Sequence, residues 1–432
     1  MAAERFVVLG LAPARAAWFT TVARWSTAAA LPVEFVKCLS QEEVRARLAS
    51  GRPWSALLVD AATPGLDRDL VAAARSAGAV VLVVDAGTAR DWRGLGAAAV
   101  LPPGFGRGEL LAALEAEARP VGAADAVPAP GRGADPQPAA WRGRLVTVVG
   151  SGGTGASTVA MAVAQGLAAD VRHAGVLLAD LALRADQAVL HDAGDVVPGV
   201  QELVEAHRTD RLSPSAVRDL AFEAPDRGYS LLLGLRRQRD WAALRPRAVD
   251  AAIDGLRRAY GVVVADATGD VEGEAECGSM EVEERNLLAR TAVREADAVV
   301  AVGRPGVTGL RHLVALVAAV VAAGASPDRV LSVVNRAPRS PRARAELARA
   351  LADLGGDTPP TAGPLFLPDV RRLDELQRDA APLPSAWARS AAAAVDAVLR
   401  RVTPAIAADD DEPVRVAPGS LGRWAGEEAM SG

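Results

Sequence analysis

Short apolar runs of strand length recur along this chain, and most of the gaps between them are helical in pattern. They fall into two separate series. The first is Arg5–Leu11, Val33–Cys38, Ser55–Asp60, Ala79–Val84 and Ala97–Leu101. The second is Arg144–Val149, Gly175–Asp180, Tyr229–Leu235, Gly261–Asp266, Asp297–Val302, Arg329–Val334 and Gly363–Leu367, closed by a helix from Pro384 to about Val402. Strand–helix alternation of this kind predicts α/β domains, each a parallel sheet with helices on both faces. Between the series, residues 119–143 are rich in Pro, Gly and Ala without periodicity, which predicts a linker. From Pro404 the chain is acidic and Gly/Pro-rich, the composition of a disordered tail. The expected units are therefore 1–118, a linker 119–143, 144–403 and a tail 404–432.

Composition narrows the class further. Half of the residues are apolar yet only 4% are aromatic, which favours helices packed on sheets. The longest apolar run, Leu313 to Gly324, is too short to span a bilayer. No basic, apolar, small-residue leader opens the chain, so a cytoplasmic location is expected. Two cysteines, Cys38 and Cys277, make no metal or disulfide framework, as suits a reducing compartment. The four histidines (173, 191, 207 and 312) read as surface or core residues rather than ligands. A net charge of −5 argues against coating nucleic acid. Lys37 is the sole lysine.

The strongest local signal is Gly150-Ser151-Gly152-Gly153-Thr154-Gly155-Ala156-Ser157-Thr158, set between the run Leu145–Val149 and the apolar stretch Val159–Leu167. Strand, glycine loop and helix in that order form a phosphate-binding loop: backbone N–H groups converge on an anion and the helix dipole adds positive charge. Ser157 stands where such a loop offers a hydroxyl to Mg²⁺, but Ala156 stands where a lysine should reach the β- and γ-phosphates. Asp180 and Asp266 each close an apolar run, a place where a carboxylate serves either a metal or a turn.

Together these motifs resemble the MinD/ParA group of P-loop ATPases over about Arg144 to Val402. That group carries a loop K-G-G-x-G-K-[ST]-T. Ser151–Thr158 keeps its glycines and hydroxyls and loses both lysines. Its Asp-x-Asp is reduced here to Asp180-Leu181-Ala182, and its Walker B carboxylate matches Asp266. Asn335-Arg336 matches the pair that recognises the base, and Leu367-Pro368-Asp369 echoes the loop that follows. The resemblance implies ATP on Gly150, Gly152–Thr158, Asn335, Arg336, Pro368 and Asp369. It implies Mg²⁺ on Ser157, Asp180 and Asp266, with both ligands held weakly or lost. Removing one preorganised donor costs about 2.7–4 kcal/mol of transition-state stabilisation. Two lysines and a carboxylate are missing, so no residue is assigned a catalytic role. Arg172, Arg184 and Arg304 lie near loop ends as substitute cations.

The first series resembles a response-regulator receiver. Leu57-Leu58-Val59-Asp60 stands at the phospho-acceptor strand, while Gly10-Leu11-Ala12 replaces the acidic pair and Pro102 the lysine. Such a pseudo-receiver ahead of an eroded P-loop is similar to the CpaE/TadZ branch, which includes septum-site-determining-like proteins. That resemblance implies a localisation or assembly scaffold for a Flp-type pilus, secretion or division apparatus. Its partners would be proteins of that apparatus, with a homodimer as one assembly and the membrane reached only indirectly. A weak but genuine ATPase and a ParA-like DNA partner are the alternatives. The latter rests on the arginines of 336–349, the former on an arginine standing in for lysine. The acidic stretch Gly269–Glu284, where the group has its switch II loop, reads as a solvated loop or as a docking or autoinhibitory element.

Overall fold

In the first series every apolar run becomes a strand: β1 (Phe6–Leu11), β2 (Val33–Cys38), β3 (Ala56–Asp60), β4 (Val80–Val84) and β5 (Ala99–Leu101). All pair in parallel in the order β2-β1-β3-β4-β5, the flavodoxin-like arrangement. The helices between them are α1 (Ala17–Thr27), α2 (Gln41–Leu48), α3 (Arg68–Ser76), α4 (Trp92–Leu95) and α5 (Arg107–Glu117). Period-two alternation divides β1 between two cores. Val7, Leu9 and Leu11 pack with Val44, Leu70 and Trp92 of α2, α3 and α4. Phe6 and Val8 pack with Trp18, Phe19 and Leu110 of α1 and α5. The structure, a computed structural model, describes residues 5–13, 15–88, 90–121, 141–173, 175–355 and 362–402. Most of the expected linker and the whole expected tail lie outside the described residues.

The second series forms an eight-stranded sheet of order β13-β12-β11-β6-β10-β7-β9-β8. Its strands are β6 (Arg144–Gly150), β7 (Val176–Asp180), β8 (Phe222–Ala224), β9 (Tyr229–Leu232), β10 (Val262–Thr268), β11 (Ala298–Gly303), β12 (Val330–Ala337) and β13 (Ala362–Pro368). Only β8, which the sequence pattern did not predict, runs antiparallel, as an edge strand. Helices α6 (Ala156–Ala168), α7 (Gln187–Leu190), α8 (Val200–Thr209), α9 (Pro214–Arg218) and α10 (Pro246–Ala259) follow the first strands. Helices α11 (Glu274–Cys277), α12 (Met280–Arg285), α13 (Leu287–Glu295), α14 (Val307–Ala322), α15 (Pro341–Gly355), α16 (Leu373–Arg378) and α17 (Ser385–Val402) complete the domain.

Strand β6 sits at the centre, buried on both faces. Val146 and Val148 pack with Val159 and Val163 of α6 and Trp387 and Val395 of α17. Leu145 joins the core under α8 and α10, and Val149 the one under α13 and α14. Thr147, fully buried, donates its hydroxyl to the Ala292 carbonyl at 2.7 Å, so its polar atom is satisfied. Helices α6 and α17 approach closely because Gly166 has no side chain: a Cβ there would strike the Ala388 carbonyl and the Ala392 methyl. From β6 the chain leaves to β7 on one side and later returns to β11 on the other. The loop after β6 thus lies at the carboxyl ends of the strands where the order reverses, the usual ligand crevice of such sheets.

The two sheets meet through α3. Asp67 caps that helix by accepting the Leu70 N–H at 2.8 Å and lies 3.9 Å from Arg208 of α8. Arg68 donates to the carbonyls of His207 and Asp210 at 2.7 and 3.2 Å, and Asp69 accepts the Arg247 N–H of α10 at 3.3 Å. The docking surface therefore joins helices, leaving the loop after β6 outside it.

Candidate functional site

The glycine loop is built as its sequence requires. Gly150 pairs with Thr268 of β10 and Val302 of β11, which fixes where the loop begins. Gly153 and Gly155 take φ of 77° and 83°, conformations that favour glycine. The Thr154 N–H and hydroxyl both donate to the Ser151 carbonyl, at 3.1 and 2.7 Å, closing a tight turn. Helix α6 starts at Ala156. Among the described residues no backbone carbonyl accepts from the N–H groups of Gly152, Gly153, Gly155, Ala156 or Ser157. The result is a concave set of donors at a helix N-terminus, the form of an anion cradle. At position 156 a methyl group packs toward the core where a lysine would carry its charge.

Two carboxylates lie on the strands beside this cradle, paired in register: Asp180 at the end of β7, and Asp266 on β10, which runs two residues further to Thr268. Asp180 is wholly buried and accepts the backbone N–H groups of Ala182 and Gln187 at 3.2 and 3.0 Å. Both its oxygens therefore shape the turn after β7. Burial, and next the nearby charge of Asp266, push its carboxyl well above the usual range. Asp266 accepts from the Gln187 side-chain amide at 2.7 Å. Burial pushes it up to about 6, although hydrogen bonds from Gln187 and Ser157 favour its ionised form. Ser157 and Asp266 are thus brought together as a metal site would need, while Asp180 stands behind them. Among the described residues no cluster of three or more His, Cys, Asp or Glu has metal-holding geometry.

Gln187 was not found by sequence reasoning. No motif marks it, and it reaches Asp266 only because α7 folds back over the strand ends. Its Nε2 also points at the Ser157 carbonyl at 3.3 Å, and its buried Oε1 has no partner.

The remaining expected nucleotide contacts gather at the neighbouring strand ends. Asn335, nearly buried on β12, donates its amide to the Thr154 carbonyl at 2.9 Å, and its oxygen accepts the Arg336 N–H at 2.9 Å. The same amide lies 2.5 Å from where a Cβ on Gly155 would be. Asn335 therefore holds the loop itself, and a base contact would require breaking the Thr154 bond. Arg336 is exposed. Pro368 ends β13 and its carbonyl accepts from Trp387, while the Asp369 carbonyl accepts from Arg339. The Thr158 hydroxyl accepts from Gln377 at 3.2 Å.

The three substitute cations separate clearly. Arg172 is tied to Asp170 and Asp396. Arg184 is exposed after β7. Arg304 follows β11, and its guanidinium nitrogen lies 4.0 Å from where a Cβ on Gly153 would be.

The acidic stretch after β10 carries α11 and α12, and bases just beyond it fold back on it. Arg285 pairs with Asp270 at 2.5 Å and Arg290 with Glu276 at 3.2 Å. Of the arginines in 336–349, Arg342 pairs with Glu346, and Arg339 and Arg344 donate to backbone carbonyls.

In the first domain, Asp60 accepts the Trp18 indole N–H at 2.7 Å and the Ala62 N–H at 2.9 Å. The neighbouring strand β1 ends at the buried Leu11, paired with Val59, and the buried Ala12 follows it. Asp85, after β4, accepts from Trp92 and Thr88, both at 2.8 Å.

No family model matches the sequence, and no curated protein matches it. Solved structures similar to the chain include a ParA-family ATPase from Chlorobium tepidum, at 16% identity over 60% of this chain and 98% of that one, TM-score 0.44. The MinD cell-division protein of Aquifex aeolicus matches at 18% identity over 59% and 97%, TM-score 0.42. The septum site-determining protein MinD from Pyrococcus horikoshii, solved with Mg-ADP, matches at 18% over 60% and 99%, TM-score 0.43. Likeness at this level carries no activity with it.

Proposed function

We propose that this chain is a positioning or assembly scaffold of MinD/ParA type, cytoplasmic, on which a nucleotide site persists as a binding element with little hydrolysis. The observation that carries the reading is the contrast within one loop. Its N–H cradle, its positive-φ glycines and the Ser157–Asp266 pair are intact, while Ala156 supplies no charge. The residues fit ATP in part. The loop N–H groups would hold phosphates, and Ser157 with Asp266 would hold Mg²⁺, which supplies neutralisation of phosphate charge when bound. Asp180, with both oxygens on backbone N–H groups, would shape the site rather than ligate.

Within that reading the CpaE/TadZ-like role is the finer proposal: service to a Flp-type pilus, secretion or division apparatus, with protein partners and a homodimer as one assembly. The α3 contact supports it by making the first domain a fixed module on α8 and α10 rather than part of the nucleotide site. Among the described residues no helix is long and apolar enough to cross a membrane.

The purified chain should release phosphate from ATP at or near background. Turnover within about tenfold of an active MinD-type enzyme, abolished by Ser157→Ala or Asp266→Ala, contradicts the reading. That outcome would favour the second reading, a genuine ATPase, which the position of Arg304 alone supports.

A further inference from the structure

The loop after β6 lacks a lysine, and the chain's single lysine is elsewhere: Lys37 lies on β2, its ammonium 5.2 Å from the centre of the Phe19 ring. Any polyphosphate on the cradle needs positive charge from another element. Strand β11 is the neighbour that can supply it. Its Val302 pairs with Gly150, and a Cβ on Gly150 would lie 3.2 Å from the Val302 carbonyl, so the ends of the two strands are pressed together. Two residues on is Arg304. Its backbone is gripped by the start of α14, where a Cβ on Gly309 would strike the Arg304 carbonyl. Its guanidinium lies beside Gly153, at the most open part of the loop, where a Cβ on Gly152 would meet nothing within 4 Å.

We propose that Arg304 is the phosphate-binding cation of this site, reaching from β11 to a polyphosphate held on the loop N–H groups in place of a lysine within the loop. The inference rests on the nucleotide-binding reading and deepens it. Three observations carry it. First, among the described residues Arg304 makes no ion pair and donates no hydrogen bond, whereas Arg172 is held by two carboxylates. Second, a guanidinium offers a planar fork of N–H donors that suits phosphate oxygens, and it keeps its charge beside any protein surface. Third, on the side of β6 away from β11, two buried polar atoms lack a partner. The wholly buried Gln187 leaves its Oε1 unpartnered beside Ser157 and Asp266, and the buried Thr268 hydroxyl, in register with Gly150, is also unpartnered. Oxygen atoms of this kind suit a hydrated cation riding with the polyphosphate. A guanidinium on one side and orphaned oxygens on the other match the two charges of a metal–polyphosphate complex.

Calorimetric titration of the full chain with MgATP, and separately with magnesium pyrophosphate, tests this. Arg304 is exposed, so its substitution leaves the fold in place. Arg304→Ala should weaken both ligands by about tenfold or more, the loss expected of a charged hydrogen bond. Arg304→Lys should recover part of that loss, and Arg184→Ala should bind as wild type does. The salt dependence of MgATP affinity should also flatten in Arg304→Ala. A wild type that binds MgATP, with an Arg304→Ala variant of equal affinity and equal salt dependence, overturns the assignment and leaves the nucleotide reading standing. A wild type that binds neither ligand at millimolar concentration overturns both. Loss in Arg184→Ala but not in Arg304→Ala moves the cation to the loop after β7.

Discussion

Two strand-end sites in this molecule are built in opposite ways. At the end of β3, Asp60 is half-buried and engaged by protein: the Trp18 indole and the Ala62 N–H both donate to it, beside the buried Leu11 and Ala12. At the end of β6 the loop carries no lysine but is not filled; among the described residues the N–H groups of Gly152, Gly153, Gly155, Ala156 and Ser157 have no backbone acceptor, and Arg304 stands beside it. The comparison shows that losing charge is not the same as losing a site. Where an aromatic side chain donates to the carboxylate, the strand end is tied to the core beside it. Where only a methyl takes the place of a cation, the geometry that recognises an anion survives.

The largest expected effect is on stability, and it falls on the Asp60 site. Trp18 is nearly buried and packs on Phe19 and Phe105. Trp18→Ala should cost about 3–5 kcal/mol in chemical denaturation, while Arg304→Ala at the open site should leave stability within about 0.5 kcal/mol. Equal costs at the two places would erase the distinction.

A smaller effect follows from Asp266. Its folded-state pKa, about 6, lies above that of an unfolded aspartate, so the folded chain binds the extra proton. The stability this gives is present at low pH and is lost as pH rises from about 4 through 6. At pH 8 the buried charge is a liability on the order of 3 kcal/mol. Asp266→Asn should therefore be more stable than wild type at pH 8, and the gap in melting temperature should shrink by about half at pH 5 and close only below about pH 4. A gap independent of pH would mean that Asp266 is not the strained carboxylate. The smallest effect is the expected absence of one: Asp60 should form no stable Mg²⁺-dependent adduct with acetyl phosphate. An adduct mapped to Asp60 by mass spectrometry would contradict that.

Much of this was legible in the sequence, and the reasons differ by element. The central strands announced themselves because a parallel sheet buries both faces, so β6, β10 and β11 read as unbroken apolar runs. Strand β8 did not, since three residues, Phe222–Ala224, on an antiparallel edge carry too little pattern. The glycine loop's turn, and the meeting of Ser157 with Asp266, were legible because a strand, glycine loop and helix in sequence fix that local geometry. Gln187 and Trp18 were not: they meet Asp266 and Asp60 across 79 and 42 residues of chain, and nothing local to either encodes the meeting. Asn335 was found, yet its amide supports the loop rather than facing outward, which only the close approach of Gly155 reveals. The acidic stretch carries no base of its own in sequence; its counter-ions Arg285 and Arg290 lie just beyond it and pair only in the fold.

The central claim is that the open site binds nucleotide and scarcely hydrolyses it. It is tested most directly by loading the full chain with MgATP, removing free nucleotide, and identifying the retained nucleotide by chromatography after an hour. Intact ATP at close to one per chain is the predicted result. Retained ADP with released phosphate, or no retained nucleotide under conditions where an active MinD-type protein is loaded, would contradict it.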